Sequence, residues 1–235
     1  MRKTQLWIVV LTALLITLNV KSATAPSVPV VSVDPKVNSG LTGTSITVNV
    51  NVTNVVNLYS YDVNMTFNPA FLNCTSVTEG PFLGTAGMTW WMEPEIRNDK
   101  GYILFGNSLF WMMPPPPPGA GGNGTLATIT FDVLIEDGTW LNFSRTELST
   151  LVEEGGTWIP EPIVHDIENG MFTIPGDVNG DRTVDIFDIG TISAHWYPGP
   201  PVGPLGYSTR ADINKDGSVD IFDIGITSAH WGQSW

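Results

Sequence analysis

In several runs between residues 28 and 174 the apolar positions fall on every second residue. In Ser45 to Thr53, Ile46, Val48, Val50 and Val52 alternate with Thr47, Asn49 and Asn51, a period of two that gives a strand one buried face. Tyr59, Tyr61, Val63, Met65 and Phe67 do the same against Asp62, Asn64 and Thr66, and a third run turns Ala127, Ile129, Phe131, Val133 and Ile135 inward. Further strand-like runs lie near 28–34, 70–78, 88–93, 101–107, 139–144 and 165–174, with polar turns between them and no amphipathic helix. About nine strands in this order predict a mainly β fold, an antiparallel sandwich of jelly-roll or immunoglobulin-like type. After Pro175 the period changes: Ile189, Ile192 and Trp196, then Ile224, Thr227 and Trp231, recur at i, i+3 and i+7. That spacing predicts one short helix in each of two C-terminal repeats.

The repeats are DVNGDRTVDIFDIGTISAHW from Asp177 and DINKDGSVDIFDIGITSAHW from Asp212, 35 residues apart. Each sets oxygen-bearing side chains at loop positions 1, 3, 5, 9 and 12: Asp177, Asn179, Asp181, Asp185 and Asp188, then Asp212, Asn214, Asp216, Asp220 and Asp223. Thr183 and Ser218 at position 7 would offer backbone carbonyls. A large hard cation takes about six to eight oxygens from a flexible twelve-residue turn of this kind, so two calcium ions are expected. Without them the carboxylates would repel, which makes the metal a requirement for folding. Position 6 is Gly217 in the second loop but Arg182 in the first, where left-handed backbone carries a steric cost of about 1 kcal/mol. Tighter binding by loop two is the expectation.

Two loop-plus-one-helix units over residues 176–235 resemble the dockerin family, calcium-dependent modules that attach proteins to cohesin domains. By that resemblance Ile186, Phe187, Ile221 and Phe222, which begin the helices off the buried stripe, face the cohesin, and near-identical copies imply docking in two orientations. The reading from the residues alone is that these side chains pack the half-modules together or against the sandwich, and the short junction Thr173-Ile174-Pro175-Gly176 favours one pair being covered. The order of phrases VSVDP (Val31 to Pro35), NLYSYDVNMTFNPAFL (Asn57 to Leu72), SVTEGPFL (Ser76 to Leu83) and GTLATITFDV (Gly124 to Val133) makes residues 28–174 similar to a cohesin domain. Cohesins are jelly-roll sandwiches, related to some carbohydrate-binding modules, that receive dockerins on one sheet.

Met88 to Gly122 breaks the strand pattern. Five prolines from Pro114 to Pro118 hold a stiff segment without backbone donors, an exposed loop and not a strand. The aromatics before it, Trp90, Trp91 and Trp111, are candidates for a flat platform that stacks sugar rings or an apolar patch that receives a partner helix. Against this, adjacent Trp90 and Trp91 point to opposite faces of a strand, so at least one belongs to the core.

Arg2, Lys3, the apolar run Leu6 to Leu18 and Ala23-Thr24-Ala25 predict a signal peptide over 1–25, with Pro26 keeping an uncleaved anchor open. Secretion or display at the cell surface follows. The lone cysteine, Cys74, excludes an intrachain disulfide and is expected in the core. Sequons at Asn51, Asn64, Asn73, Asn123 and Asn142 are glycan acceptors only where they face solvent. A net charge of −13 offers no basic patch for nucleic acid or an anionic membrane. Catalytic residues are not expected: Glu93, Glu95, Glu153 and Glu154 lie in short acidic clusters near loops, His195 and His230 are one position repeated, and His165 stands alone. The chain reads as a secreted, non-catalytic adaptor in polysaccharide-related assemblies, its partner a cohesin-type domain, a second copy of itself included. The alternative is a carbohydrate-binding sandwich with the calcium module as anchor.

Overall fold

The computed structural model describes residues 27–112, 115–197 and 205–235. The predicted leader with its cut, the start of the proline run and most of the Pro- and Gly-rich stretch between the repeats lie outside these residues. The described residues form thirteen strands: β1 (Val30–Asp34), β2 (Val37–Asn38), β3 (Ser45–Leu58), β4 (Ser60–Thr66), β5 (Leu72–Glu79), β6 (Thr89–Trp91), β7 (Glu95–Arg97), β8 (Tyr102–Leu109), β9 (Ala120–Val133), β10 (Thr139–Glu154), β11 (Thr157–Pro162), β12 (Asp166–Glu168) and β13 (Gly170–Phe172). Two helices follow, α1 (Ile186–Ala194) and α2 (Ile221–Ala229). One sheet has the order β12-β1-β3-β9-β5 and the other β2-β13-β10-β4-β8-β6, with β11 on β10 and β7 on β8.

The alternating residues close the two sheets on each other. Ile46, Val48, Val50 and Val52 of β3, Tyr59 to Phe67 on alternate positions, and Ala127, Ile129, Phe131 and Val133 of β9 are all buried, and Phe67 meets Phe131 edge-on at 5.1 Å. Ile135 departs from the expectation: β9 ends at Val133, the chain turns back over Phe71, and Ile135 is exposed. The sandwich is mostly antiparallel, but β1 with β12 and β13 with β2 pair in parallel. The run near 88–93 keeps one three-residue strand, β6, and β7 follows just beyond it. β11 has no counterpart in the alternation, because Pro160 and Pro162 mask it. They are tolerated on a strand that pairs only with β10, where a missing donor faces outward. Pro115 to Pro118 run outside both sheets, as the missing donors require. Of the five sequons only Asn123 is exposed.

Cys74 is buried as expected, and burial pushes its thiol up to about 12 against a weaker opposing contact with the Ser76 carbonyl. The thiolate is the reactive form. At pH 8 a disulfide reagent should therefore label the native chain at least ~100-fold more slowly than the denatured one. Equal rates would place Cys74 outside the core.

The last strand decides where the C-terminal repeats sit. β13 runs beside β2, Thr173 N–H donates to the Asn38 carbonyl (2.8 Å), and the first loop begins four residues later against the end of the sandwich. No helix among the described residues is long and apolar enough to cross a membrane.

Candidate calcium loops and docking surface

In both repeats the position-1 and position-12 carboxylates are buried: Asp177 and Asp188, Asp212 and Asp223. Backbone N–H groups of the turn hold them. Gly180 and Arg182 donate to the two oxygens of Asp177 (2.8 and 3.0 Å), and Asp216 and Gly217 to those of Asp212 (3.1 and 2.9 Å). Asp188 accepts from Asn179 and Asp185 (3.0 and 2.8 Å), and Asp223 from Ile213 and Asp220 (2.8 Å each). Burial raises the pKa of Asp188 and Asp223, only partly offset by these N–H donors, and the facing Asp177 or Asp212 carboxylate pushes the same way. None of the four has a salt-bridge partner among the described residues. Arg210 lies near Asp177 and Asp188, and Lys215 near Asp212, but neither pairs with them directly; carboxylates gathered out of water without a direct ion pair are the donor set of a hard divalent cation.

Positions 3 and 5 stand together at the rim, Asn179 donating to Asp181 (3.0 Å) and Asn214 to Asp216 (2.8 Å). Position 9 has a second role that spacing alone hides. Asp185 and Asp220 are the helix N-caps, each accepting from the N–H two residues on (2.8 Å), while Asp188 and Asp223 return the capping box. Among the described residues no three acidic, histidine or cysteine side chains stand gathered as a metal site. The residues that would hold a calcium ion in each loop are those at positions 1, 3, 5, 9 and 12, with the carbonyls of Thr183 and Ser218. The N-cap aspartates are the ligands most suited to act through a water.

The expected advantage of loop two is not supported. Arg182 adopts the left-handed backbone (φ 75°), but Lys215 at position 4 of the second loop does so too (φ 58°), where the first loop has Gly180. Each loop therefore carries one glycine and one strained residue, and the penalty cancels.

The two repeats lock together about an approximate two-fold. Val219 of loop two exchanges both N–H···O bonds with Tyr197 beyond α1 (2.9 and 2.7 Å), and Val184 of loop one pairs with Gly232 and Gln233 beyond α2 (2.9 Å each). Val178, Ile192, Ala211, Ile213 and Val219 form the small core between them. Ile189 and Ile224 are half-buried as the stripe predicted, whereas Trp231 is exposed because the chain turns away after Ala229.

Both Ile-Phe pairs are open to solvent. Ile186 is 59 % exposed, Phe187 69 %, Ile221 62 % and Phe222 67 %. The expectation that one pair is covered by the sandwich or by the other half-module is thereby overturned: the seam uses Trp235 and His230 instead. Space beyond Gly190 and Gly225, one turn on, is also open.

The tryptophans do not form a platform. Trp90 is 65 % exposed beside Phe110 (6.4 Å), but Trp91 tilts over Phe105 (6.2 Å) and Trp111 meets Tyr59 edge-on (5.7 Å), both packed on the core. Trp90 and Met92 instead wall a trough of about 430 Å³ across β4, β8 and β10, with Ser60, Asp62, Ser108 and Glu147 among its lining residues. Gly106 leaves room there for the Met92 methyl.

A model described as the cohesin domain matches residues 30–157, and one described as the dockerin type I domain matches residues 175–228. The chain belongs to the cohesin family. Its cohesin domain is followed by a type I dockerin domain. No curated protein sequence matches the chain. Among solved structures, the Coh-OlpA-Doc918 type I cohesin–dockerin complex from Clostridium thermocellum has a TM-score of 0.50 at 11 % identity, covering 63 % of this chain and 99 % of that one. A non-cellulosomal cohesin from the hyperthermophilic archaeon Archaeoglobus fulgidus has a TM-score of 0.46 at 16 % identity, covering 63 % and 91 %. A type II cohesin from the cellulosome of Acetivibrio cellulolyticus has 0.45 at 18 %, covering 63 % and 95 %. The first of these supports the sandwich fold of the cohesin domain. Cohesins and dockerins are non-catalytic interaction domains, and calcium binding belongs to the type I dockerin.

Proposed function

We propose that this chain is a secreted adaptor, acting outside the cell or at its surface in polysaccharide-related assemblies. Two calcium ions fold its dockerin, and the helices then dock on a cohesin-type domain. The observation that carries the reading is the pair of equivalent apolar points, Ile186-Phe187 and Ile221-Phe222, left uncovered at the same position of both helices while Val178, Ile192, Ala211, Ile213 and Val219 close the module's own small core. The partner includes a second copy of the chain. Trp235 of the module packs on Trp140, and Glu147 and Ser149, the β10 residues that line the trough beside Trp90, lie about 23–30 Å farther along the strand at ~3.3 Å per residue, so a module tied down at Trp140 meets a trough only on another molecule. Such a contact is heterologous and builds chains or rings.

Sedimentation of the full chain tests this directly. With saturating calcium, association that grows with concentration and disappears in chelator supports the self-partner reading; monomers under both conditions limit the partner to other cohesin-type domains. Retention on insoluble polysaccharide that is lost in Trp90→Ala would favour the carbohydrate-binding alternative.

A further inference from the structure

The position-1 ligands of the two calcium loops draw their hydroxyl partners from different domains. In loop two, Asp212 accepts from the Tyr207 hydroxyl (2.7 Å), five residues upstream and inside the dockerin. In loop one, Asp177 accepts from the hydroxyl of Thr173, which is fully buried at the end of the cohesin sandwich and bonded to Asn38 beside β2. Thr173 in turn accepts from the indole N–H of Trp235 (2.8 Å). The directions are forced: an indole N–H only donates, so the one hydroxyl proton is left for the carboxylate.

Trp235 is held from both sides. Its ring meets Trp140 edge-on at 5.8 Å and covers Gly138, where any side chain would collide with the indole. The tail that carries it pairs with loop one itself, through the Thr183–Ser234 bridge and the Val184 bonds to Gly232 and Gln233. Loop one also presses on the sandwich at Gly180. A side-chain carbon there would stand 3.0 Å from Val37 and 3.2 Å from Arg210, whereas Lys215 keeps its side chain at the same place in loop two.

We propose that the cohesin sandwich completes the first calcium site. Thr173 is a positioning residue for Asp177, and Trp235 fastens Thr173, so calcium in loop one and attachment of the dockerin to the sandwich reinforce each other, while the hydroxyl that holds Asp212 of loop two comes from within the module. The coupling is reciprocal by thermodynamic necessity. It rests on the calcium reading of the loops, and the test separates the two.

Calcium titration calorimetry on the full chain resolves the sites. The native chain should bind two ions; no heat at all would remove the calcium reading itself. Thr173→Val, which deletes the hydroxyl and keeps the shape, should weaken one site about tenfold and leave the other unchanged, the size of effect that a lost outer partner of a metal ligand produces. Trp235→Phe, which keeps a ring and drops the N–H, should weaken the same site. Trp140→Ala touches no loop residue and should do likewise, while raising the radius of gyration of the calcium-loaded chain in small-angle scattering. Tyr207→Phe should weaken the opposite site and leave the radius alone. Both sites falling together in Thr173→Val, neither changing, or Thr173→Val and Tyr207→Phe weakening the same site would each overturn the proposal.

Discussion

Chelating calcium from the full chain is expected to unfold residues 176–235 and leave the cohesin sandwich standing. Four carboxylates lie buried in a module whose core is five side chains. Burial and a facing carboxylate already raise the pKa of Asp188 and Asp223, so at neutral pH their ionisation opposes folding unless a cation answers it. The sandwich has no such debt. Its core runs through both sheets, from Val31 to Phe172, and contains no buried carboxylate. In chelator, far-ultraviolet circular dichroism should lose most of its helical signal, and amide exchange over α1 and α2 should lose at least ~100-fold of its protection while β3 and β9 keep theirs. Retained helix signal and protection without calcium would end the metal-folding account.

The second large effect concerns Ile186, Phe187, Ile221 and Phe222. Changing either pair to Ala should lower affinity for a cohesin-type domain by only about twofold, because one of two equivalent orientations survives. Changing both pairs should cost at least ~100-fold, since each orientation then lacks the exposed aliphatic and aromatic anchors that dominate such interfaces. The structural basis is the approximate two-fold that places α1 and α2, with the same capping boxes and nearly the same exposure, on related faces. Surface-immobilised dual-pair and single-pair variants, compared in calcium, measure this. A single pair that abolishes binding would show one orientation only.

Several features were legible without coordinates for a common reason: they are local. Alternation in β3, β4 and β9 marks the buried face whatever covers it, and the twelve-residue ligand spacing in each repeat dictates the turn that gathers Asp177 with Asp188 and Asp212 with Asp223. Where expectation and structure part, a neighbour distant in sequence intervenes. β11 forms despite Pro160 and Pro162 because β10 extends to receive it at an edge. Trp91 and Trp111 turn inward because Phe105 and Tyr59 offer ring contacts, while Trp90, one residue away, has none beneath it but Phe110 beside it. The strain at Arg182 was visible, but its balance by Lys215 needed the backbone angle of a residue whose type gives no hint of it.

By itself, then, the chain's order of residues determined a period-two sandwich, a duplicated twelve-residue acidic loop and the two helices that follow, since spacings within about a dozen residues are enough for each. Only the tertiary structure decided which apolar pairs stay uncovered, which tryptophan faces solvent, and that Thr173, Trp235 and Trp140 meet beside Asp177. Those outcomes join residues 62 positions apart for Thr173 and Trp235, and farther still for Trp140 and Trp235, and chain-distant contacts follow from how whole sheets and repeats pack, which no short window of sequence contains.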